Sequence, residues 1–332
     1  MGEVSRLKQI TQLNNGSQLT IWRLVDGKAG HESQSLGLVK ALSKQADCQT
    51  FDIKVSNGFE AIACWLSSTW VLGAGLPLPD LIIGAGHSTH LHLLAAKRAY
   101  GGKTIVLMQP TLPVRLFDLC LIPEHDRYQG SGEYLQTRGV LNPIQPEGEH
   151  AVNQALIMIG GPSKHCHWDT LKLIAQVYEL LNHNTHIHYT LTTSRRTPKA
   201  FISAVKRIHF RNLTVVPHEE TEKGWVAKQL SKSAFAWVTE DSVSMVYEAL
   251  TAQVMVGLLN MPVKRKSRVS RGVQNLINQG MVARFDFLQT YQQKLKVVVG
   301  FMEAERCSQW ILHSWMQSSR VNQPVFDAAF EI

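Results

Sequence analysis

The sequence lacks the features that would assign it to an oxidising compartment or to a bilayer. Its five cysteines are widely spaced and include no CxxC pair, which argues against a disulfide framework and indicates a reduced, cytoplasmic protein. No apolar run approaches the ~20 residues that a membrane-spanning helix needs. The polar extension at 1–18 has no apolar core, so we expect no signal peptide. We therefore expect any contact with the inner membrane to be peripheral.

Charged residues are also few, and the sign of the net charge limits the kinds of partner that the protein can bind. Only 18% of the residues are charged and 44% are apolar, so the 332 residues are sufficient for two folded domains. The net charge of +8 favours an anionic partner, either a phosphorylated substrate or an acidic membrane. We expect no nucleic acid as a partner, because the basic residues are dispersed and form no recognition motif.

A dinucleotide fingerprint and a metal-binding motif are missing as well. The turn Gly84-Ala85-Gly86 follows an apolar strand, but Thr89 occupies the third glycine position and no acidic residue follows at the expected distance. His165, Cys166 and His167 are too close together to close one tetrahedral site. The sequence therefore predicts neither a resident cofactor nor a metal ion.

The stretch SAFAWVTEDSVSMVYEAL at 233–250 organises the second half of the chain. An apolar run meets a polar turn and continues at helical spacing, which predicts strand, turn and helix. The first N–H groups of the helix are suited to an anion, and Asp241 or Ser242 can cap them. Glu240 and Glu248 are predicted to lie on one side, where carboxylates accept sugar hydroxyls. A capped helix without a ligand satisfies the same pattern.

The turn after the first predicted strand, DGKAGHESQSLGL, combines a flexible backbone with a cation and a base. Gly27 and Gly30 allow close approach to a ligand, and Lys28 supplies a positive charge. His31 titrates near neutral pH and can accept a proton. The alternative is an ordinary turn with a solvated histidine.

Two other strand ends in the second half are suited to phosphate. Gly160 and Gly161 lie between a strand and a helix, where the lack of side chains allows close approach. Arg195 and Arg196, within TTSRRTP, can each bind two oxygens of a diphosphate. Ligands of open parallel sheets bind outside the carboxyl ends of strands, although a surface turn remains the alternative.

Two surfaces are candidates for lipid contact. The basic cluster at 264–271 is typical of a solvated face, and the second interpretation is that it contacts an acidic membrane. The apolar helix predicted at 59–72 carries Trp65 and Trp70, which belong either to the core or to an exposed patch.

The motifs DGKAGHESQSLGL, FDLCLIPEHD, GGPSK, TTSRRTP and VTEDSVSMVYEAL together resemble the Elm-type mitochondrial-fission family and its bacterial relatives, over about residues 20–285. That family resembles GT-B glycosyltransferases. The resemblance implies an α/β fold with two facing Rossmann-like domains, parallel sheets and a cleft between them. Bacterial members are treated as candidate glycosyltransferases, some carry a nucleoside-diphosphate-sugar epimerase label, and plant relatives are described as recruiting a dynamin-like protein to mitochondria.

The polar extension at 1–18 and the polar, proline-containing stretch at 142–150, which we interpret as a linker, bound the first domain. With the resemblance they imply an acceptor domain at 19–145, a nucleotide-sugar domain at 150–288, and helices at 289–332 that pack on the domains. Three positions depart from the family pattern. His87 stands in place of an arginine, Gln109-Pro110-Thr111 in place of Asp-Pro-Arg, and Ala252-Gln253-Val254 in place of Gly-Lys-Pro.

The leading hypothesis is a metal-independent GT-B glycosyltransferase that takes a nucleotide-sugar as its donor substrate, with a lipid-linked or envelope glycan among the candidate acceptors. His31, or else Glu32, is the predicted catalytic base. The predicted binding residues are Gly27, Lys28, Gly30, Gly160, Gly161, Ser194, Arg195, Arg196, Glu240, Asp241, Ser242, Ser244 and Glu248. The alternatives are a non-catalytic adaptor that binds a protein or membrane, and a nucleoside-diphosphate-sugar epimerase.

Overall fold

The computed structural model describes residues 18–56, 58–164, 166–262, 264, 267–286 and 295–317. These residues form two compact units. The first contains the described residues up to Ile122, Tyr128–Thr137 and the described residues from Glu303 onward, and the second contains Pro123–Arg127 and Arg138–Met302. The chain passes into the second unit at Arg138, ahead of the stretch at 142–150 that was proposed as a linker.

Strands and helices alternate along both units, which confirms the predicted α/β class. In chain order they are β1 (Leu19–Val25), α1 (Ala29–Gln45), β2 (Cys48–Lys54), α2 (Gly58–Ser67), β3 (Leu81–Ala85), α3 (His87–Tyr100), β4 (Lys103–Leu107), β5 (Leu119–Pro123), β6 (Tyr134–Thr137), β7 (Ala151–Ile159), α4 (Thr170–His183), β8 (His188–Thr193), α5 (Lys199–Lys206), β9 (Leu213–Val216), α6 (Trp225–Leu230), β10 (Ser233–Thr239), α7 (Val243–Thr251), β11 (Met255–Leu259), α8 (Arg268–Asn278), β12 (Ala283–Arg284) and α9 (Glu303–Leu312). Within the described ranges, no helix combines the length and the apolar character that crossing a bilayer would require.

The first unit is built on a six-stranded sheet in the order β2-β1-β3-β4-β5-β6. Strands β1 to β5 pair in parallel. Strands β1, β3 and β5 are buried along their whole length. Helices cover both faces of such a sheet, which explains why these strands are continuous apolar runs in the sequence.

The helix predicted at 59–72 is shorter than expected. It ends at Ser67, and Ser68 adopts a left-handed backbone conformation (φ 56°) that a helix cannot continue through. Trp70 then turns into the core and stacks on Trp22, with ring centroids 5.7 Å apart. Trp65 remains 40% exposed, so the two tryptophans belong to different environments.

The C-terminal helix α9 belongs to the first unit and packs against α1. Gln45 donates to the Ser308 hydroxyl over 2.5 Å, and Arg306 donates to the backbone oxygen of Gln136 over 2.6 Å. The helices predicted at 289–332 are wrong for 295–302, which form no helix and include Gly300 with φ of 77°. Residues 289–294 and 318–332 of that prediction lie outside the described part.

The second unit has its own six-stranded sheet in the order β12-β11-β10-β7-β8-β9, with the strand pairs all parallel. Leu156, Val238 and Leu258 contribute to the core on one face, and Ile157, Trp237 and Leu259 contribute to the core on the other. Alternate residues of a strand point to opposite faces, so these strands are apolar throughout.

Each sheet reverses its winding direction once. Successive connections run outward on opposite sides of the β1–β3 pair in the first sheet and of the β7–β10 pair in the second. Such switch points leave a crevice outside the carboxyl ends of the two strands, which is where ligands of open α/β sheets bind. The fold therefore places the turns after β1, β3, β7 and β10 at the positions where a site is expected.

Asp118, next to β5, holds two elements of the first unit together. Its carboxylate accepts hydrogen bonds from Thr104 N (2.7 Å), Thr104 Oγ1 (2.8 Å) and Lys97 Nζ (2.8 Å). Burial by itself would raise the pKa of Asp118, but the bonds from Lys97 and Thr104 outweigh it and lower that pKa.

Replacing Asp118→Asn should lower the free energy of unfolding of the first unit by about 2 kcal/mol at pH 7, because charge-assisted hydrogen bonds are lost. The folded pKa lies below the unfolded one, so this contribution is present above the unfolded pKa and vanishes as the pH falls through the folded pKa. Urea unfolding of both proteins from pH 7 down to about pH 3 measures the difference, with the exposed Asp47→Asn as the control. A difference that does not shrink with falling pH would contradict the assignment.

Candidate functional site

Three neighbouring strand ends of the second unit come together around one arginine. Strands β7, β8 and β10 are adjacent in the sheet, and their carboxyl ends lead into Gly160, Ser194 and Glu240. Arg196 Nη1 donates to the backbone oxygens of Gly161 (3.0 Å) and Pro162 (3.2 Å), which follow β7. Its Nη2 donates to Ser242 Oγ (3.0 Å), which follows β10. The guanidinium thus connects the turns after three strands.

Asp241 is the acid that holds Arg196. Its Oδ2 lies 2.8 Å from Arg196 Nη2 and also accepts from Gly161 N over 3.1 Å, and its side chain is 0% exposed. Its Oδ1 is buried and has no hydrogen-bond partner among the described residues. A Cβ at Gly160 would collide with this carboxylate, and one at Gly161 would collide with the backbone of Arg196. Both glycines are therefore needed for the turns to approach.

The side chains of Thr197 and Thr239 hold the turn after β7 in place by hydrogen bonds to its backbone. Thr197 Oγ1 donates to the backbone oxygens of Ile159 (3.1 Å) and Gly160 (2.5 Å), and Gly160 N donates to Thr239 Oγ1 (2.7 Å). Because these backbone groups are satisfied within the turns, the positions of the glycines are set before any ligand binds.

An open depression of about 660 Å³ lies above these turns. It is lined by Pro162, Ser163, Lys164, Arg196, Asp241 and Lys264. Lys264 Nζ donates to the backbone oxygen of Ser163 over 3.1 Å, so the loop after β11 is anchored to the loop after β7. Three cations and one buried carboxylate therefore share the depression, which favours an anionic ligand.

The start of α7 meets the same turns. Ser242 is the N-cap residue, but its side chain makes no capping hydrogen bond to the helix. Free N–H groups at a helix start carry partial positive charge. Ser244 is exposed in the first turn of the helix. Arg195 is also exposed, and its guanidinium meets no hydrogen-bonding or ionic partner in the described part of the chain.

Glu240 lies in the turn before α7, so the helical spacing used to predict its position does not apply. Its side chain is buried, with Oε1 2.5 Å from Arg284 Nε and Oε2 accepting from Met261 N over 3.1 Å. Both oxygens already have a partner, and a sugar hydroxyl would have to use the remaining lone pairs. Glu248 lies within α7, and burial raises its pKa to about 7.

In the first unit, the turn after β1 joins an acid to the predicted base. Asp26 Oδ2 lies 2.9 Å from His31 Nδ1, and Asp26 Oδ1 accepts from Lys28 N over 3.2 Å. The Asp26 side chain is 2% exposed and the His31 side chain is 23% exposed. Burial opposes ionisation of Asp26, but the hydrogen bonds from His31 and Lys28 outweigh it and lower its pKa.

The other predicted residues of this turn have local partners or open surroundings. Glu32 Oε1 accepts from Gly27 N over 3.1 Å, so its carboxylate closes the loop. Gly27 has a positive φ of 77°, which glycine adopts without strain. Gly30 lies in the first turn of α1 with no atom within 4 Å of an added Cβ. Lys28 is exposed, with Nζ 3.5 Å from Asp26 Oδ2.

The geometry brings three further residues into these sites that the sequence motifs do not single out. Lys164 ends the GGPSK motif, Lys264 lies in the basic cluster at 264–271, and Asp26 begins the turn after β1. The signal available was position: each follows a predicted strand closely. Among the described residues, no three His, Cys, Asp or Glu side chains form a group that could hold a metal ion. His165 lies outside the described residues, as do Arg265 and Lys266 of the basic cluster.

Solved structures with a similar fold include two sugar-nucleotide enzymes. A UDP-GlcNAc 2-epimerase from Neisseria meningitidis, bound to UDP-GlcNAc, is 13% identical with a TM-score of 0.53 over 91% of this chain and 100% of that chain. The UDP-GlcNAc 2-epimerase from Methanocaldococcus jannaschii is 10% identical with a TM-score of 0.55 over 90% and 100%. At these identities the likeness concerns the fold. It confirms the predicted GT-B-like class with two parallel-sheet domains.

Similarity in sequence points to one family. Uncharacterized protein RP120 of Rickettsia prowazekii (strain Madrid E) is 22% identical over 290 residues, which cover 70% of this chain and 81% of that protein. The family model for mitochondrial fission ELM1 matches residues 29–315, which is most of the chain and includes the site of the second unit together with His31 of the first. The chain therefore belongs to the mitochondrial fission ELM1 family.

Proposed function

We propose that the second unit binds the diphosphate of a nucleotide-sugar and that the protein transfers the sugar to a hydroxyl acceptor. The observation that carries the proposal is the depression lined by Lys164, Arg196 and Lys264 at the β7–β10 switch point. The uncapped start of α7 adds N–H donors at the same place. The UDP-GlcNAc bound to the Neisseria meningitidis epimerase, whose fold is similar, supports this class of ligand.

The two lysines supply the charge that a diphosphate would meet. Arg196 already faces Asp241 at 2.8 Å, so much of its charge is neutralised. Lys264 contacts a neutral backbone oxygen, and Lys164 is exposed at the rim. In sugar transfer, the acceptor oxygen bonds to the anomeric carbon while the bond from that carbon to the diphosphate breaks. The electron pair leaves with the diphosphate, whose growing charge the lysines and N–H groups stabilise.

Lys264→Ala and Lys164→Ala should each weaken the binding of UDP about tenfold, since each removes about 1.4 kcal/mol of charge attraction. Isothermal titration with UDP, GDP, CDP and CMP measures the affinity. Lys228→Ala, which removes an exposed lysine from α6, is the matched control and should bind like the unaltered protein. Lys264→Arg should keep most of the affinity.

Failure of all four nucleotides to bind the unaltered protein would overturn the proposed donor site. Equal affinity of Lys264→Ala and Lys228→Ala would contradict the assignment of Lys264. Arg196→Ala is less informative about ligand binding, because it also leaves the buried Asp241 without its counter-charge and so destabilises the site itself.

Glu248 is the candidate for contact with a ribose or sugar hydroxyl. It follows Ser242 by six residues, which places it ~9 Å along α7 from the helix start. That separation suits the sugar end of a nucleotide whose diphosphate lies at the helix start. Because the pKa of Glu248 is about 7, its carboxyl group changes between hydrogen-bond donor and acceptor near neutral pH.

Glu248→Gln should raise the free energy of unfolding at pH 8 by about 2 kcal/mol and leave it unchanged near pH 4. The folded pKa of Glu248 is higher than the unfolded one, so its contribution is full at low pH and is lost as the pH rises through the folded pKa. Urea unfolding at both pH values measures this, with the exposed Glu219→Gln as the control. The same difference at both pH values would show that Glu248 is not held neutral by burial.

Product analysis separates transfer from epimerisation. The fold is shared with two 2-epimerases, so the reaction class cannot be assigned from the fold. A changed nucleotide-sugar formed without an acceptor would favour epimerisation, and release of nucleoside diphosphate only with a hydroxyl acceptor would favour transfer.

A second candidate function, docking on an anionic membrane, is favoured by an apolar surface on the first unit. Six exposed apolar side chains cluster within 62–78, namely Ile62, Trp65, Leu66, Val71, Leu72 and Leu78. The Arg98 guanidinium lies 4.7 Å from the centroid of the Trp65 ring. Tryptophan beside a cation is suited to the boundary between acyl chains and anionic headgroups.

The double variant Trp65→Ser with Leu66→Ser should lose most of its binding to vesicles of phosphatidylcholine and phosphatidylglycerol, because the apolar contact area is removed. Flotation in a density gradient measures the bound fraction. Vesicles of phosphatidylcholine alone show whether binding requires the negative charge of phosphatidylglycerol. Leu171→Ser, which alters an exposed leucine on α4, is the control. Equal flotation of both variants would exclude this surface.

A further inference from the structure

We infer that Asp26 is the positioning residue for His31: it orients the ring and, in the neutral imidazole, holds the proton on Nδ1, so that the lone pair is on Nε2, the atom that would take the proton of an acceptor hydroxyl. This inference rests on the proposed transfer reaction, but its structural part can be tested without that reaction. It is carried by the 2.9 Å contact between Asp26 Oδ2 and His31 Nδ1 and by the near-complete burial of the Asp26 side chain.

The contact determines which ring nitrogen carries the proton. An ionised carboxylate only accepts hydrogen bonds, so the nitrogen that faces it must donate. Asp26 is held ionised, because the bonds from His31 and Lys28 lower its pKa despite burial. The proton of the neutral imidazole is therefore on Nδ1, and Nε2 keeps a lone pair.

The position of the ring is set from the other side by Gly86. A Cβ at Gly86 would collide with the His31 ring, so the ring packs directly on the backbone after β3. Gly86 has φ of 83°, a conformation that favours glycine. The ring thus lies between Asp26 and the turn after β3, on the two strands that flank the switch point of the first sheet.

The other charged and titratable groups around His31 leave Asp26 as the hydrogen-bond partner of its Nδ1. On its own helix and loop these are Lys28, whose Nζ lies 3.5 Å from Asp26, and Glu32, which is bound to Gly27 N. On α3 they are His87, which is exposed, and His90, whose pKa is lowered to about 4 by burial and by the nearby His87 and His31. His90 is therefore neutral at pH 7 and does not compete for the Asp26 carboxylate.

The proposed step balances without an additional reactant. The acceptor O–H bond breaks, its proton goes to His31 Nε2, and the electron pair of that bond stays on the oxygen, which becomes the nucleophile. The resulting imidazolium is stabilised by the adjacent Asp26 carboxylate.

Nitrogen-15 NMR of histidine-labelled full-length protein tests the inference, because the ring shifts report which nitrogen carries the proton. The unaltered protein should show His31 in the Nδ1–H tautomer. Asp26→Ala should lose this preference, and Asp26→Asn, which keeps a neutral acceptor, should retain part of it. Asp47→Asn, an exposed carboxylate just beyond the other end of α1, is the matched control. An unchanged far-ultraviolet circular dichroism spectrum and melting temperature serve as the check that each variant is folded.

Kinetics with UDP-GlcNAc as the probe and water as the acceptor test the consequence. Asp26→Ala should lower kcat for UDP release about 100-fold or more and change KM less than threefold, whereas Asp47→Asn changes neither. A mixed His31 tautomer in the unaltered protein, or kcat of Asp26→Ala within threefold of it, would overturn the inference. If this donor is not turned over, the tautomer measurement alone decides the inference. Absence of nucleotide binding overturns the donor site instead, so the two failures are distinguishable.

Discussion

The ion pair between Arg196 and Asp241 is the interaction on which the geometry of the second unit's site depends. One guanidinium contacts the turn after β7, the turn after β10 and the acid between them. The acid is buried, so leaving it unpaired would be costly, and this cost keeps the arginine in place. Because the pair is nearly neutral, it acts as a scaffold, and the flanking lysines define the charge of the depression.

The two units share one arrangement, an acid paired with a basic side chain, but the basic side chains differ. In each, an acid next to a switch point fixes a basic side chain: Asp241 fixes Arg196, and Asp26 fixes His31. In each, a glycine allows the approach, since a side chain at Gly160 or Gly86 would collide with the pair. The acid of the second unit is thus paired with a guanidinium, whereas the acid of the first unit is paired with an imidazole.

The fold was predictable because it depends on local patterns. Buried parallel strands such as β3 and β5 are apolar runs, and glycines after strands mark the turns, so the α/β class followed from the sequence. Glu240 was harder to interpret. Its partner Arg284 is 44 residues away, and no local spacing indicates that the two meet. The same holds for Lys264, which is bound to Ser163 across 101 residues. Sequence periodicity describes one element at a time, whereas the charge of a site is set by contacts between elements.

The return of α9 to the first unit has a consequence for how the protein is made. Most of the second unit, Arg138–Met302, forms one long insertion between β6 and α9 of the first, and Pro123–Arg127 forms a short one between β5 and β6. On the ribosome, all the strands of the first sheet emerge early, but the helix that packs on α1 is synthesised last. The contact between α9 and α1 therefore cannot form until the whole insertion has been synthesised. Chain synthesis thus makes every residue of the second unit available before the helix that packs on α1.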